Sequence, residues 1–247
     1  MALRLPPTIR ACLFDLDGVL TNTAEVHAAA WKQTFDGLLR RRAGDGPFVP
    51  FDALSDYDEY VDGRPRLEGT RTFLRARGIE LPEGTESDPT GTDTVHGLSN
   101  EKNELLLTLL RDQGVRTFPG SVRFVEQARA MGLRTAVVSS SANCAQVVAA
   151  AGIDGLFDAR VDGLVAAARH LAGKPAPDTF LAAAELLAVT PPQAAVFEDA
   201  LAGVEAGRAG RFGLVVGVDR TGQADALRRH GADVVVADLE ELIGPAS

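Results

Sequence analysis

Two cysteines stand in 247 residues, Cys12 and Cys144, which argues against a disulfide scaffold and for a reducing, cytoplasmic compartment. Both are expected to pack as small apolar side chains. Basic residues are in deficit, 25 Lys plus Arg against 34 Asp plus Glu, and a net charge of -9 gives nucleic acid little to bind. A local basic pocket for a phosphate stays compatible with that balance. No apolar run reaches the length of a membrane span, and Met1 to Arg10 carries no apolar core of signal-peptide length, so no membrane association is expected. No internal repeat is found, and no strongly apolar surface stripe stands out, so a monomer is the default. What the chain does have is 45% hydrophobic content, enough for a sizeable core in one domain with an insertion, or in two domains.

The stretch Phe14-Asp15-Leu16-Asp17-Gly18-Val19-Leu20-Thr21 organises the rest. An apolar run, Ala11 to Phe14, ends there in two carboxylates at i and i+2. If that run is a buried strand, Asp15 sits at its carboxyl end, where open parallel α/β sheets place their ligands. Asp17 lies on the same side while the chain remains extended, and Gly18 then permits a sharp turn. Carboxylates this close repel unless a cation lies between them, which favours a hard ion such as Mg2+. A lone DxDG is also compatible with a polar turn or a fragment of a calcium loop, so the reading depends on partners elsewhere.

The carboxy-terminal half alternates short apolar runs with alanine-rich helical patterns, the rhythm of parallel β/α units. Strands are expected at Arg134 to Ser139, Ala194 to Phe197, Gly213 to Val218 and Asp233 to Val236. Helices are expected at Val122 to Met131, Cys144 to Ala151, Ala176 to Ala188, Leu201 to Gly210 and Gln223 to His230. Gly132, Gly152 and Gly231 each close a helix, and Thr190-Pro191-Pro192 marks a fresh start. From Thr23 to Gly114 no strand is evident, and the segment reads as an inserted helical domain. Its first helix, Ala24 to Leu39, carries Trp31 and Phe35 at the spacing of a core stripe, with Arg40, Arg41 and Arg42 suited to the helix dipole. The polar stretch Glu83 to Gly97 reads as a surface loop.

Three later stretches have chemistry that could converge on Asp15. Val137-Val138-Ser139-Ser140-Ser141-Ala142-Asn143 runs from a strand into hydroxyls, a seat for phosphate or simply a helix cap. Gly173-Lys174-Pro175 presents a lysine that either lies on the solvated surface or is fixed as countercharge for a phosphoryl group. Glu198 and Asp199 end an apolar strand and would complete a Mg2+ site with Asp15 and Asp17. Each falls at a strand-to-helix junction, and Gly203 and Gly207 would let the next helix approach the sheet.

Taken together, DLDGVLTNTA, VVSSSAN, GKPAPDTF and FEDALAGVEAG resemble the four motifs of the haloacid dehalogenase superfamily of phosphotransferases. The likeness is greatest to its β-phosphoglucomutase-like subfamily, in Thr23, Ala24, Glu25, His27 and Trp31, in Gly63 and Arg66, and in Lys102-Asn103. The resemblance implies a doubly wound α/β core of parallel strands, residues 1–22 and 115–247, with an α-helical cap at 23–114. It implies Mg2+-dependent transfer through a phosphoaspartate, with Asp15 as nucleophile and Asp17 as general acid/base. Ser139, Ser140 and Lys174 would hold the transferring phosphoryl group. Asp15, Glu198, Asp199 and the main-chain carbonyl of Asp17 would hold the metal. Thr23, His27, Trp31, Arg66, Lys102 and Asn143 would meet the substrate.

The expected substrate is a small phosphorylated sugar, and the expected reaction interconverts β-glucose 1-phosphate and glucose 6-phosphate through the 1,6-bisphosphate. The alternatives are hydrolysis of a sugar phosphate and, more remotely, a non-enzymatic phosphoaspartate switch, against which Asp17 and the cap argue. Ala142 stands where the family's mutases carry a basic residue, and Arg64 adds a second arginine beside Arg66. These departures bear on which sugar is bound.

Overall fold

The computed structural model describes residues 3–244. Six parallel strands form one sheet: β1 (Ala11–Phe14), β2 (Arg134–Val138), β3 (Ala159–Val161), β4 (Ala194–Glu198), β5 (Leu214–Val218) and β6 (Val234–Val236). Their order, β3-β2-β1-β4-β5-β6, is doubly wound, with the direction of winding reversing between β1 and β4. All four residues of β1 are buried, because neighbouring strands and helices cover it on every side. The ring of Phe14 stacks on Phe197 at 4.7 Å and meets Phe124 edge-on at 6.1 Å. Phe14 pairs with Val137 on one side and Phe197 on the other. The residues that follow this row are therefore Asp15, Val138 and Glu198.

The chain divides into two compact units, one built from the residues up to Asn22 and from Val115 onward, the other from Thr23–Gly114. At the boundary, within the sheet-bearing unit, the outgoing and returning chains pair. Thr21 and Thr117 form an antiparallel bridge, the Asn22 N–H donates to the Arg116 carbonyl at 3.0 Å, and Phe118 N–H to that of Leu20 at 2.9 Å.

The inserted unit is helical: α1 (Thr23–Ala43), α2 (Arg66–Ala76) and α3 (Val95–Gln113), with a π-helical turn at Tyr57–Val61. Helix α1 runs past its expected end at Leu39, carrying Arg40, Arg41 and Arg42 into its last turn, where cations favour the helix dipole. Trp31 and Phe35 are buried and stacked at 5.0 Å, and Phe35 lies 4.0 Å from Phe73, so the aromatic stripe is core as its spacing predicted. The polar loop stops sooner than expected. Thr94 caps α3 by accepting from the Gly97 N–H at 2.9 Å, so Val95 to Gly97 belong to a helix.

Around the sheet lie α4 (Pro119–Ala130), α5 (Cys144–Ala150), α6 (Gly163–Ala168), α7 (Asp178–Leu186), α8 (Leu201–Ala209) and α9 (Ala224–His230). Helix α4 starts three residues before Val122 because Pro119 stands at N1, where its missing N–H is no loss. Gly132, Gly152 and Gly231 have φ of 80, 68 and 117°, the left-handed conformation expected after a helix. Strand β3 and helix α6 were not foreseen: Ala159-Arg160-Val161 is only three residues long and half exposed at the sheet edge, so no apolar run marks it. No helix of the described residues is long and apolar enough to cross a membrane.

Candidate active site

At the end of β1 the Asp15 N–H still pairs with the Phe197 carbonyl at 2.9 Å, so the sheet itself fixes where this carboxylate starts. The chain then curls. Gly18 has φ of 85°, its N–H donates to the Thr21 carbonyl at 2.7 Å, and the Leu16 carbonyl accepts from the N–H groups of Leu20 and Thr21 and from the Thr21 hydroxyl. The Asp17 N–H donates to the Asp15 carboxylate. Burial pushes the Asp15 carboxyl up and the Asp17 charge adds to this, while Lys174 opposes both.

After β2 comes Ser139, buried, with its hydroxyl accepting from the Ser141 N–H at 3.1 Å. The Ser141 hydroxyl repeats the arrangement on the Asn143 N–H at 3.1 Å. The serines thus shape their own loop instead of capping α5, whose cap position is taken by Asn143 without a side-chain cap bond. Ser140 and Asn143 are half-buried. The loop rests on a residue the sequence did not single out, Asp162, buried at the end of β3. It accepts from Leu164 and Val165 N–H groups and pairs with Arg160 at 2.8 Å. The neighbouring Gly163 N–H donates to the Ser141 carbonyl at 3.1 Å. An Asp-Gly pair after a recognised β3 would have signalled it, but β3 itself was hidden.

Lys174 closes the arrangement. Its side chain is fully buried, and its ammonium pairs with both Asp15 and Glu198 and donates to the Val138 carbonyl at 3.2 Å. Burial alone would push this ammonium down, but the two carboxylates outweigh it and hold the group above its ordinary value, charged. Lys174 is therefore no solvated surface lysine.

Asp15, Glu198 and Asp199, all buried, offer one oxygen each within 4.8 Å of one another. That all-oxygen set suits a hard divalent cation. Two glycines keep it open: a Cβ at Gly18 would collide with the Asp199 carboxylate, and one at Gly203 with that of Glu198. Gly207 does what its spacing predicted, lying against Val196 and Val215. Asp17 lies outside the three-carboxylate set. For Gly18→Ala we expect a stability loss of at least about 1–2 kcal/mol in urea melts, from the left-handed backbone alone. Calorimetric Mg2+ affinity should fall as well, since the new methyl displaces Asp199.

In the inserted unit, Thr23 is buried at the start of α1 with His27 one turn on. Buried Lys102 of α3 reaches His27 Nδ1 at 3.1 Å and lies 4.9 Å over the Trp31 ring. Trp31 is thereby covered by Phe35 and Lys102, a packing residue first. Arg66 opens α2, half-buried, and its Nε has no hydrogen-bond partner among the described residues; burial lowers its guanidinium pKa.

Burial, together with the Lys102 charge, holds His27 well below its usual 6.5, so it is neutral and accepts at Nδ1. A histidine depressed in the folded state gives stability that is whole above the unfolded value and is lost as pH falls below about 6.5. His27→Gln should therefore flatten the fall of stability below pH 6.5, by at most about 1.4 kcal/mol per pH unit. Chemical denaturation of both proteins across pH 5–7 (roughly the span of the unfolded titration) would show equal slopes if His27 were charged in the fold.

The profile of the haloacid dehalogenase-like hydrolases matches residues 9–211, and the chain belongs to that family. Within it the chain stands in the β-phosphoglucomutase-like branch. A β-phosphoglucomutase of Mycobacterium tuberculosis is 58% identical over 247 residues, 98% of this chain and 94% of the relative. A fructose-1-phosphate phosphatase of Escherichia coli is 32% identical over 202 residues, 80% of this chain and 90% of its own. Among solved structures, a β-phosphoglucomutase from Clostridium difficile superposes with a TM-score of 0.72 at 26% identity, covering 95% of this chain and 93% of that one.

Proposed function

We propose that this enzyme interconverts β-glucose 1-phosphate and glucose 6-phosphate through β-glucose 1,6-bisphosphate, with phosphoryl groups carried on Asp15. The observation that carries the reading is the buried cluster of Asp15, Lys174, Glu198 and Asp199 at the carboxyl ends of parallel strands. The mycobacterial mutase, similar along nearly the whole chain, favours isomerisation.

An Asp15 oxygen attacks phosphorus while the bond to the sugar oxygen breaks, and Asp17 gives that oxygen its proton. In the first half-reaction the phosphoaspartate passes its phosphoryl group to the 6-hydroxyl, whose proton Asp17 takes. After the bisphosphate turns over, its 1-phosphoryl group goes to Asp15 and Asp17 returns the proton to the departing 1-oxygen. Lys174 and the Ser139–Ser140 loop, with Asn143, hold the phosphoryl oxygens. Mg2+, bound by Asp15, Glu198, Asp199 and the Asp17 carbonyl, would neutralise charge on the group in transfer.

Recognition of the far phosphate falls to Arg66, supported by its Nε, which has no hydrogen-bond partner among the described residues, with Thr23, His27 and Lys102 shaping the surroundings. Trp31 acts by packing beneath Lys102. Hydrolysis is the second reading, favoured by the phosphatase relative in Escherichia coli.

Phosphorus-31 NMR decides between them, on protein with Mg2+, β-glucose 1-phosphate and a trace of the bisphosphate. Glucose 6-phosphate without comparable free phosphate is the expected result. Free phosphate as the main product would replace the mutase by the phosphatase.

A further inference from the structure

Arg220, in the loop after β5, belongs to none of the four motifs, yet it reaches the loop that carries Asp17. Its Nε donates to the Gly18 carbonyl at 2.9 Å and Nη2 to the Val19 carbonyl at 3.5 Å. Nη1 donates to the Ala237 carbonyl at 2.8 Å and pairs with Asp238 at 3.0 Å, while Nη2 also reaches the Ser121 hydroxyl at 3.3 Å. Five N–H donors thus face five acceptors, the full capacity of a guanidinium. The group lies 3.7 Å from the centroid of Phe118, on the returning chain at the unit boundary. Only 17% of the side chain is exposed.

Within the Asp17 loop the Asp17 N–H goes to Asp15 and the Gly18, Leu20 and Thr21 N–H groups go to the Thr21 and Leu16 carbonyls, while the Gly18 and Val19 carbonyls accept from Arg220. Arg220 supplies one fork to two consecutive carbonyls, a geometry that a lysine ammonium, a single point with three donors, does not reproduce. We propose that Arg220 is a positioning residue for proton transfer: by clamping the Gly18 and Val19 carbonyls it fixes the Asp17 carboxyl against the sugar oxygen. The proposal rests on the reading of Asp17 as general acid/base.

The test compares two phosphoryl donors in wild type, Arg220→Lys and Asp17→Asn. Acetyl phosphate phosphorylates Asp15 as its own P–O bond breaks and acetate leaves as a carboxylate, so no proton need be delivered. A sugar phosphate releases an alkoxide-like oxygen that needs the proton. Arg220→Lys should phosphorylate from acetyl phosphate within about threefold of wild type, yet lose about 10–100-fold in sugar-phosphate kcat with KM little changed, the penalty of misplacing a reacting group by about an ångström. Asp17→Asn should show the same donor dependence more strongly. Equal losses with both donors in Arg220→Lys, or none with either, would overturn the positioning role while the Asp17 result stands. An Asp17→Asn protein fully active on sugar phosphate would overturn the acid/base reading and this proposal with it.

Discussion

Asp15→Asn should lower sugar-phosphate turnover by at least about 10⁴-fold, the scale on which a catalytic nucleophile acts. The amide has the shape of the carboxylate but no anionic oxygen to attack phosphorus. The fold should survive, because Lys174 keeps its pairing with Glu198 and the Asp15 main chain keeps its place in the sheet. Rapid-quench trapping of phosphoenzyme from acetyl phosphate, beside steady-state assays, checks both halves. Phosphoenzyme trapped at the wild-type level in the variant would place the nucleophile elsewhere.

Lys174→Met should produce the largest loss of stability of any single change in the site. The ammonium is the countercharge to Asp15 and Glu198 where both are buried, and breaking such a pair leaves charge uncompensated at about 3–5 kcal/mol. For a chain of this size that corresponds to a fall in Tm on the order of 10 °C. Millimolar Mg2+ should restore part of the loss, because a divalent cation among Asp15, Glu198 and Asp199 replaces the missing charge. Scanning calorimetry with and without Mg2+ reads this directly. A Tm unchanged in metal-free buffer would mean that Lys174 is not the countercharge the geometry makes it.

The core of this fold was legible because strands buried on both faces read as largely apolar runs, as β1, β4 and β5 do and as β2 does after Arg134 and Thr135, and because Gly132, Gly152 and Gly231 mark where helices end. The same logic hid β3, an edge strand with an exposed arginine at its centre, and with it Asp162 and its support of the serine loop. Asp15, Glu198 and Asp199 could be picked out as acids at strand ends and Lys174 as a lysine before a proline-started helix, although it follows helix α6 and not a strand, contrary to the junction expected there. That Lys174 is buried between two of them depends on the order of strands, a long-range property that no local pattern encodes. Arg220 was invisible for the same reason, since its partners at Gly18, Ser121 and Ala237 are far apart in sequence.

The paired chains at Thr21 and Thr117 also say something about how such a chain can be built and rebuilt. Because the two ends of the Thr23–Gly114 segment leave the sheet-bearing unit side by side, that unit meets the segment as it would meet a loop at a hairpin tip. Segments of very different length can be joined at such a point with little added entropy of closure. The junction is thus a natural splice site, at which a different insert could be carried with the sheet left untouched.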